Sequence, residues 1–286
     1  MRTPILAVAL TLIVAAPAQA SFGGAPGKLA FMQGDVGSTQ PYGLATANPD
    51  GTLQMLVGPT CREGATAPCP ANASWSSDGR RIAFDRAGQI RIMDADGSDR
   101  EGFGGPSLIG LARPAFDPTG TQLAFQGVGT DGRRDIYIRN IDTRVTRRLT
   151  FAGGAEPAWG SDGRIAFTRA GNIYVINADG TGKRRITGKG GVQADWSPDS
   201  QRLVFVRRGN VYRVNQDAKD LKKLTGKTGY EPVWQTDGTR VLFHRNVSGN
   251  RSIYSVNLGA ADLRLQVRGV EGRGVNVFSV SQQPLR

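Results

Sequence analysis

The sequence predicts an all-β fold, a six-bladed β-propeller of four-stranded antiparallel blades whose first blade is completed by the C-terminal strand. Three observations predict it. A short motif built around a large aromatic residue recurs five times, about every 40 residues. Each copy is followed by short apolar segments separated by Asp-Gly or Pro-Asp turns. The chain carries 39 glycines among its 286 residues and lacks long helix-forming runs, the composition of many short strands.

The motif copies span Ala73 to Gly79, Pro114 to Gly120, Pro157 to Gly163, Ala194 to Ser200 and Pro232 to Gly238. Their aromatics are Trp75, Phe116, Trp159, Trp196 and Trp234. A strand follows each, at Ile82-Ala83-Phe84, Leu123-Ala124-Phe125, Ile165-Ala166-Phe167, Leu203-Val204-Phe205 and Val241-Leu242-Phe243. A further strand comes next, at Ile90 to Met93, Ile136 to Ile138, Ile173 to Ile176, Val211 to Val214 and Ile253 to Val256. Arg148-Leu149-Thr150, Arg185-Ile186-Thr187 and Lys223-Leu224-Thr225 mark a last one. A four-stranded sheet cannot bury both of its own faces, so the aromatic is expected to fill the wedge against a neighbouring sheet. Asp-Gly pairs supply the positive φ and side-chain hydrogen bonds of tight hairpins.

Both ends are needed to reach six. Leu29-Ala30-Phe31, Tyr42 to Thr46 and Thr52 to Leu56 supply three strands around the turn Asn48-Pro49-Asp50-Gly51, with no leading aromatic strand. The tail Val275 to Ser281 is expected to complete this blade and to leave only short sheet edges in solvent.

Residues 1–20 read as a signal peptide, leaving 21–286 as one propeller domain. Arg2 gives the positive start, Ile5 to Ala16 the apolar middle, and Ala18-Gln19-Ala20 the small-residue cleavage site. The apolar run is too short to span a bilayer, which takes about 20 residues. A periplasmic or secreted location follows. In that oxidising setting the only cysteines, Cys61 and Cys69, are expected to form a disulfide.

The formal net charge is +12. For an exported chain the natural anionic partners are a protein or an anionic cell-envelope polymer, while nucleic acid is not expected. A monomer is expected.

The repeat resembles that of the TolB-like family of WD-type β-propellers, whose blades carry Pro-x-Trp-Ser-Pro-Asp-Gly, then Ile-Ala-Phe, Ile-Tyr-Val and Leu-Thr. Pro157 to Gly163, Trp196 to Asp199 and Asn172 to Val175 match it closely. Similar blades occur in the propellers of prolyl-oligopeptidase-like enzymes. Members of the TolB type carry an α/β domain before the propeller, whereas these repeats begin almost directly after the leader. The resemblance therefore implies a related scaffold rather than the Tol-Pal protein itself. It also implies that the first strand of each blade lines a central channel.

Two rings follow from that implication. Asn72, Arg113, Glu156, Gln193 and Glu231 stand three residues before each aromatic, and Arg86, Arg169, Arg207 and Arg245 stand two after each strand-ending Phe. Gly127 and Gln33 are the exceptions in the second ring. A basic crown with two carboxylates suits an acidic protein segment or an anionic polymer, because Arg makes bidentate contacts with carboxylate and phosphate. The competing reading is that these charges pair with each other.

No catalytic residue, cofactor or metal ligand is assigned. Asp94 to Asp99 begins like a calcium loop but lacks the acidic twelfth position, and reads as a hairpin turn. His244 stands alone, and neither a Gly-x-Ser-x-Gly elbow nor a phosphate loop appears. A non-catalytic scaffold is the reading adopted. The alternatives are a propeller-type polysaccharide lyase or glycan hydrolase, for which Glu156 and Glu231 would be the acid pair, and a small-ligand-binding propeller.

Overall fold

The structure is a computed structural model that describes residues 25–33, 42–47, 55–61, 69–98, 101–226, 228–247, 250–267 and 281–285. The expected leader, the tail strand over 275–280 and the turn at 48–51 lie outside these residues.

In chain order, β1 (Ala25–Gln33), β2 (Tyr42–Ala47) and β3 (Met55–Cys61) come first. Five repeats follow, each named here by its aromatic. The Trp75 blade holds β4 (Ala71–Trp75), β5 (Arg81–Arg86), β6 (Gln89–Asp94) and β7 (Glu101–Phe103). The Phe116 blade holds β8 (Leu108–Phe116), β9 (Gln122–Gly129), β10 (Arg134–Asn140) and β11 (Thr146–Arg148). The Trp159 blade holds β12 (Ala155–Trp159), β13 (Arg164–Arg169), β14 (Asn172–Asn177) and β15 (Arg184–Arg185). The Trp196 blade holds β16 (Val192–Trp196), β17 (Arg202–Arg207), β18 (Asn210–Asn215) and β19 (Lys222–Lys223). The Trp234 blade holds β20 (Tyr230–Trp234), β21 (Arg240–Val247), β22 (Asn250–Asn257) and β23 (Arg264–Val267). The last strand is β24 (Ser281–Leu285).

Each of the five repeats forms one four-stranded antiparallel sheet from a continuous stretch of chain. A terminal sheet in the order β24-β1-β2-β3 joins the two ends. The expectation of six blades is corrected on this point: five blades carry the repeat, and the terminal sheet is not a sixth copy. Its register gives the reason. The aromatic of each repeat pairs with the first apolar residue of the next strand, as Trp75 with Ile82 and Trp196 with Leu203. In the terminal sheet the residue paired with the equivalent Leu29 is Gln282, so no aromatic stands at the wedge position. The pairing strand is also later in the chain than the expected Val275 to Ser281.

The core lies between sheets. Trp196 packs with Ile173 and Val175 of the preceding blade and with its own Leu203 and Phe205. Trp159 meets Ile136 and Ile138, Trp234 meets Val204 and Val211, and Phe116 meets Ile90 and Ile92. Trp75 packs on Ala30, Leu44 and Val57 of the terminal sheet. Burial of one such side chain contributes about 4–6 kcal/mol by area, an upper estimate.

The Leu-Thr signature has a specific task. Strands β11, β15 and β19 stop before it, and Leu149, Ile186 and Leu224 turn into the core. Their N–H groups donate to the carbonyls of Ile136, Ile173 and Val211 at 2.8 to 2.9 Å. The hydroxyls of Thr150, Thr187 and Thr225 accept the N–H of those same residues at 2.9 to 3.0 Å. A side chain thus replaces a ladder bond where the outer strand bends inward.

Arginines staple successive blades. Arg81 and Arg164, one residue before the second strand's apolar run, donate to the carbonyls of Gly120 and Ser200 in the next blade at 2.8 and 3.2 Å. Their guanidinium groups lie over the next blade's Phe116 and Trp196 rings, 5.7 and 4.9 Å from the centroids. Arg147 and Arg184 donate to the carbonyls of Ala178 and Gln216, equivalent positions in the following hairpins. Lysine occupies the matching place at Lys222, and its cross-strand partner Arg213 supplies the staple instead, to Leu258.

Candidate functional site

Both predicted rings fall at one end of the blades. Ala71 pairs with Asp85, Ala155 with Thr168, Val192 with Val206 and Tyr230 with His244, so the start of each first strand lies beside the end of each second.

The inner ring has a backbone the sequence does not announce. Asn72, Arg113, Glu156, Gln193 and Glu231 all have positive φ, between 48° and 55°. Each sits where the ladder shifts register, as between Ala71 and Ser74. Non-glycine residues hold this conformation only when the surroundings compensate. Here the turned-out N–H groups bond to the preceding blade. Glu156 N–H donates to Gln126 Oε1 at 3.0 Å, Gln193 N–H to Glu156 Oε2 at 2.9 Å, and Glu231 N–H to Gln193 Oε1 at 3.3 Å. Arg113 N–H donates to the Asp85 carboxylate.

The side chains interlock as well. Arg113 Nη2 lies 3.2 Å from Glu231 Oε1, although two blades separate them along the chain, so the Phe116 and Trp234 blades meet across the channel. Gln193 Nε2 donates to the same Glu231 oxygen at 3.4 Å, and Thr168 Oγ1 donates to Glu156 Oε2 at 2.8 Å. Gln193 therefore stands between Glu156 and Glu231. His244, buried and stacked on Tyr230, brings Nδ1 to 3.6 Å from Glu231 Oε2. In the Trp75 blade, Asn72 Nδ2 donates to both oxygens of Asp85 at 3.0 and 2.9 Å. Burial dominates at Asp85 and pushes its pKa up to about 6, against the Asn72 bonds and the Arg113 charge.

The outer ring is graded. Arg207 and Arg245 each donate Nε to a carbonyl of the preceding blade, Gly190 and Thr228, at 2.9 Å. Their guanidinium groups lie over Phe-Tyr pairs, 5.3 Å from the Tyr212 centroid and 5.1 Å from that of Tyr254. Arg169 lies over Tyr174 at 5.7 Å. Arg86, Arg169 and Arg207 are half-buried, while Arg245 is buried. Tyrosine recurs in the third strand of four repeats, directly across from the second strand's Phe, and that was the available sign that these arginines would have a ring to rest on. Asp85 carries no comparable sign.

The remaining predicted features resolve as follows. Asp96 Oδ1 accepts the Ser98 N–H at 2.9 Å and its hydroxyl at 2.6 Å within a hairpin around Gly97, whose φ is 90°. Cys69 is disulfide-bonded and packs beside the core shared with the terminal sheet. No helix among the described residues is long and apolar enough to cross a membrane.

Comparisons agree with this architecture. A solved structure of TolB from Acinetobacter baumannii is similar, with a TM-score of 0.75 at 22% identity, over 91% of this chain and 67% of that one. A structure assigned to TolB from Agrobacterium tumefaciens gives 0.65 at 15% identity, over 92% and 100%. An oligogalacturonate lyase in complex with manganese gives 0.60 at 12% identity, over 88% and 78%, so the fold is shared with an enzyme. A search of curated protein sequences finds no match. The model of the TolB beta propeller domain matches residues 22–272, and the chain belongs to that family.

Proposed function

We propose that the chain is a non-catalytic scaffold of the cell envelope that holds an acidic segment of a protein partner on its channel face. The observation that carries this reading is the preorganised crown. Arg207 and Arg245 are oriented by a carbonyl and two rings, which uses one of five N–H donors on each guanidinium. Forks held this way lose little freedom on meeting a carboxylate. The grading of exposure puts the main contact at Arg86, Arg169 and Arg207, with Arg245 in support.

The inner carboxylates support a scaffold over a hydrolase. Glu156 and Glu231 are acceptors in the ring that joins blades, and Gln193 fills the place where a hydrolase would hold its substrate and water. An envelope location, a leader cleaved after Ala20, a monomeric state and pairing of Cys69 with Cys61 belong to the same reading. Replacing Arg86, Arg169, Arg207 and Arg245 together with Gln tests it. Retention of the mature protein on envelope extract should fall by at least about tenfold, since loss of even one charge-assisted bond of about 1.5–3 kcal/mol is worth that much. Unchanged retention by a folded variant refutes the crown.

A further inference from the structure

The rim formed by the outermost strands, far from the channel, carries a second pattern. Register places basic doublets at equivalent positions on three consecutive blades: Arg147-Arg148 opposite Ile138 and Tyr137, Arg184-Arg185 opposite Val175 and Tyr174, and Lys222-Lys223 opposite Arg213 and Tyr212. The outer strand of the Trp75 blade is different, with Glu101 and Gly102 at these places. Staples and internal pairs account for Arg147, Arg184 and Arg148, the last held by Asp135 at 2.5 Å and Asp131 at 2.8 Å. Lys183, Arg185 and Lys223 are exposed and form none of the ion pairs among the described residues.

Apolar side chains are interleaved with these cations. Of the seven large hydrophobic residues exposed among the described residues, five flank or lie in the outer strands: Val145, Phe151, Leu221, Leu263 and Leu265, at 42% to 67% exposure. Phe151 borders a groove of roughly 390 Å³ that Lys183, Thr150 and Thr181 also line, with Asp179 its one acidic residue. Basic residues alone on an edge strand guard against edge-to-edge pairing. Exposed Phe and Leu have the opposite effect, so edge protection does not explain the pattern.

We propose that this rim binds an acidic polysaccharide. Separated cations match a chain that carries one carboxylate per sugar, and the apolar side chains match the C–H faces of sugar rings. The outer strands of successive blades form a convex edge, which a flexible chain can follow and a flat bilayer meets at one or two blades. Single-stranded nucleic acid is bound through successive aromatic platforms, and only Phe151 among these five residues is aromatic. The rim is separate from the crown of the proposed function and does not depend on it.

Binding of polygalacturonate and of neutral dextran, measured by calorimetry on the mature chain, tests the proposal. Polygalacturonate should bind with an affinity that falls as salt rises, and dextran should not bind. Lys183→Glu, Arg185→Glu and Lys223→Glu combined should weaken polygalacturonate by about tenfold or more while the melting temperature stays put. Phe151→Ala should weaken it several-fold even in about 1 M salt, where the Debye length is about 3 Å. The crown variant should bind polygalacturonate as the parent does. Unchanged affinity in the folded triple variant, or equal loss in the crown variant, overturns the assignment. So does capture by vesicles of phosphatidylglycerol with no binding of polygalacturonate.

Discussion

Replacing Asp85 with Asn should change how stability depends on pH, and the buried setting of Asp85 sets the size of the change. Its carboxyl is 8% exposed, and burial lifts its pKa from 3.8 to about 6. The folded chain therefore holds this proton more tightly than the unfolded chain. The resulting stabilisation is complete below about pH 3.8, the ordinary value, and is lost as pH rises through about 6. At about 1.4 kcal/mol per pKa unit, the loss is of the order of 3 kcal/mol. An amide cannot titrate, yet it can still accept the Arg113 N–H, and Asn72 can turn its own oxygen toward the new NH2 group. Urea unfolding of both proteins from about pH 4 to about pH 7.5 gives the stability difference directly, and other titrating groups cancel in it. The parent should lose about 3 kcal/mol relative to Asp85→Asn across that window. A difference that stays flat with pH, or that moves in favour of the parent, refutes the assignment of the raised pKa to burial.

Truncation after Gly274 removes β24 and with it the pairing of Ala30 with Ser281 and Leu29 with Gln282; a thermal melt should show a severe drop, and a truncated chain that melts like the parent would refute a closing role. Arg164→Ala removes the bond to the Ser200 carbonyl and the contact with the Trp196 ring, so chemical denaturation should show a loss of about 2 kcal/mol, against less than about 0.5 for exposed Arg185→Ala.

The repeat was legible because the same interface is built again and again, and any residue needed in every copy is written in every copy. Phe167 recurs in all five copies, and Trp159, Tyr174 and the turn glycine at 163, whose φ is 84°, each in four. The fourth copy shows the limit, since Ser200 takes the place of glycine with a φ of 53° and its hydroxyl meets Ser161 at 2.9 Å. The terminal sheet was the hardest to read because it has no second copy. Without an aromatic at Gln282 nothing in composition marks Ser281–Leu285 as a strand, and the expectation rested on the more apolar Val275 to Ser281, of which only Ser281 lies among the described residues.

The inner ring is legible by position, three residues before each aromatic, but its backbone is not, for another reason. Asn72, Arg113, Glu156, Gln193 and Glu231 share a backbone conformation rather than a chemistry, and no residue type common to all five marks it. In Arg113, Glu156, Gln193 and Glu231 the N–H turns toward the previous blade, where a side chain accepts it. Chemistry is then free to vary at these positions, provided that neighbours remain complementary. Arg113 across from Glu231, and Gln193 between Glu231 and Glu156, meet that condition.

Net charge is similarly divided by position. The +12 of the whole chain invites a single explanation, yet Arg81, Arg164, Arg147, Arg184 and Arg213 are held against backbone carbonyls of neighbouring blades. Arginine suits that work because its planar fork reaches a carbonyl while its face covers a ring. Lysine has a single charged tip and stays hydrated, and Lys183 and Lys223, beside and in the outer strands, are exposed. The arginines held against carbonyls are thereby committed to joining blades, while Lys183, Lys223 and exposed Arg185 at the rim are available to a partner. A count of charge loses that distinction, and it returns once each side chain is placed in its strand register.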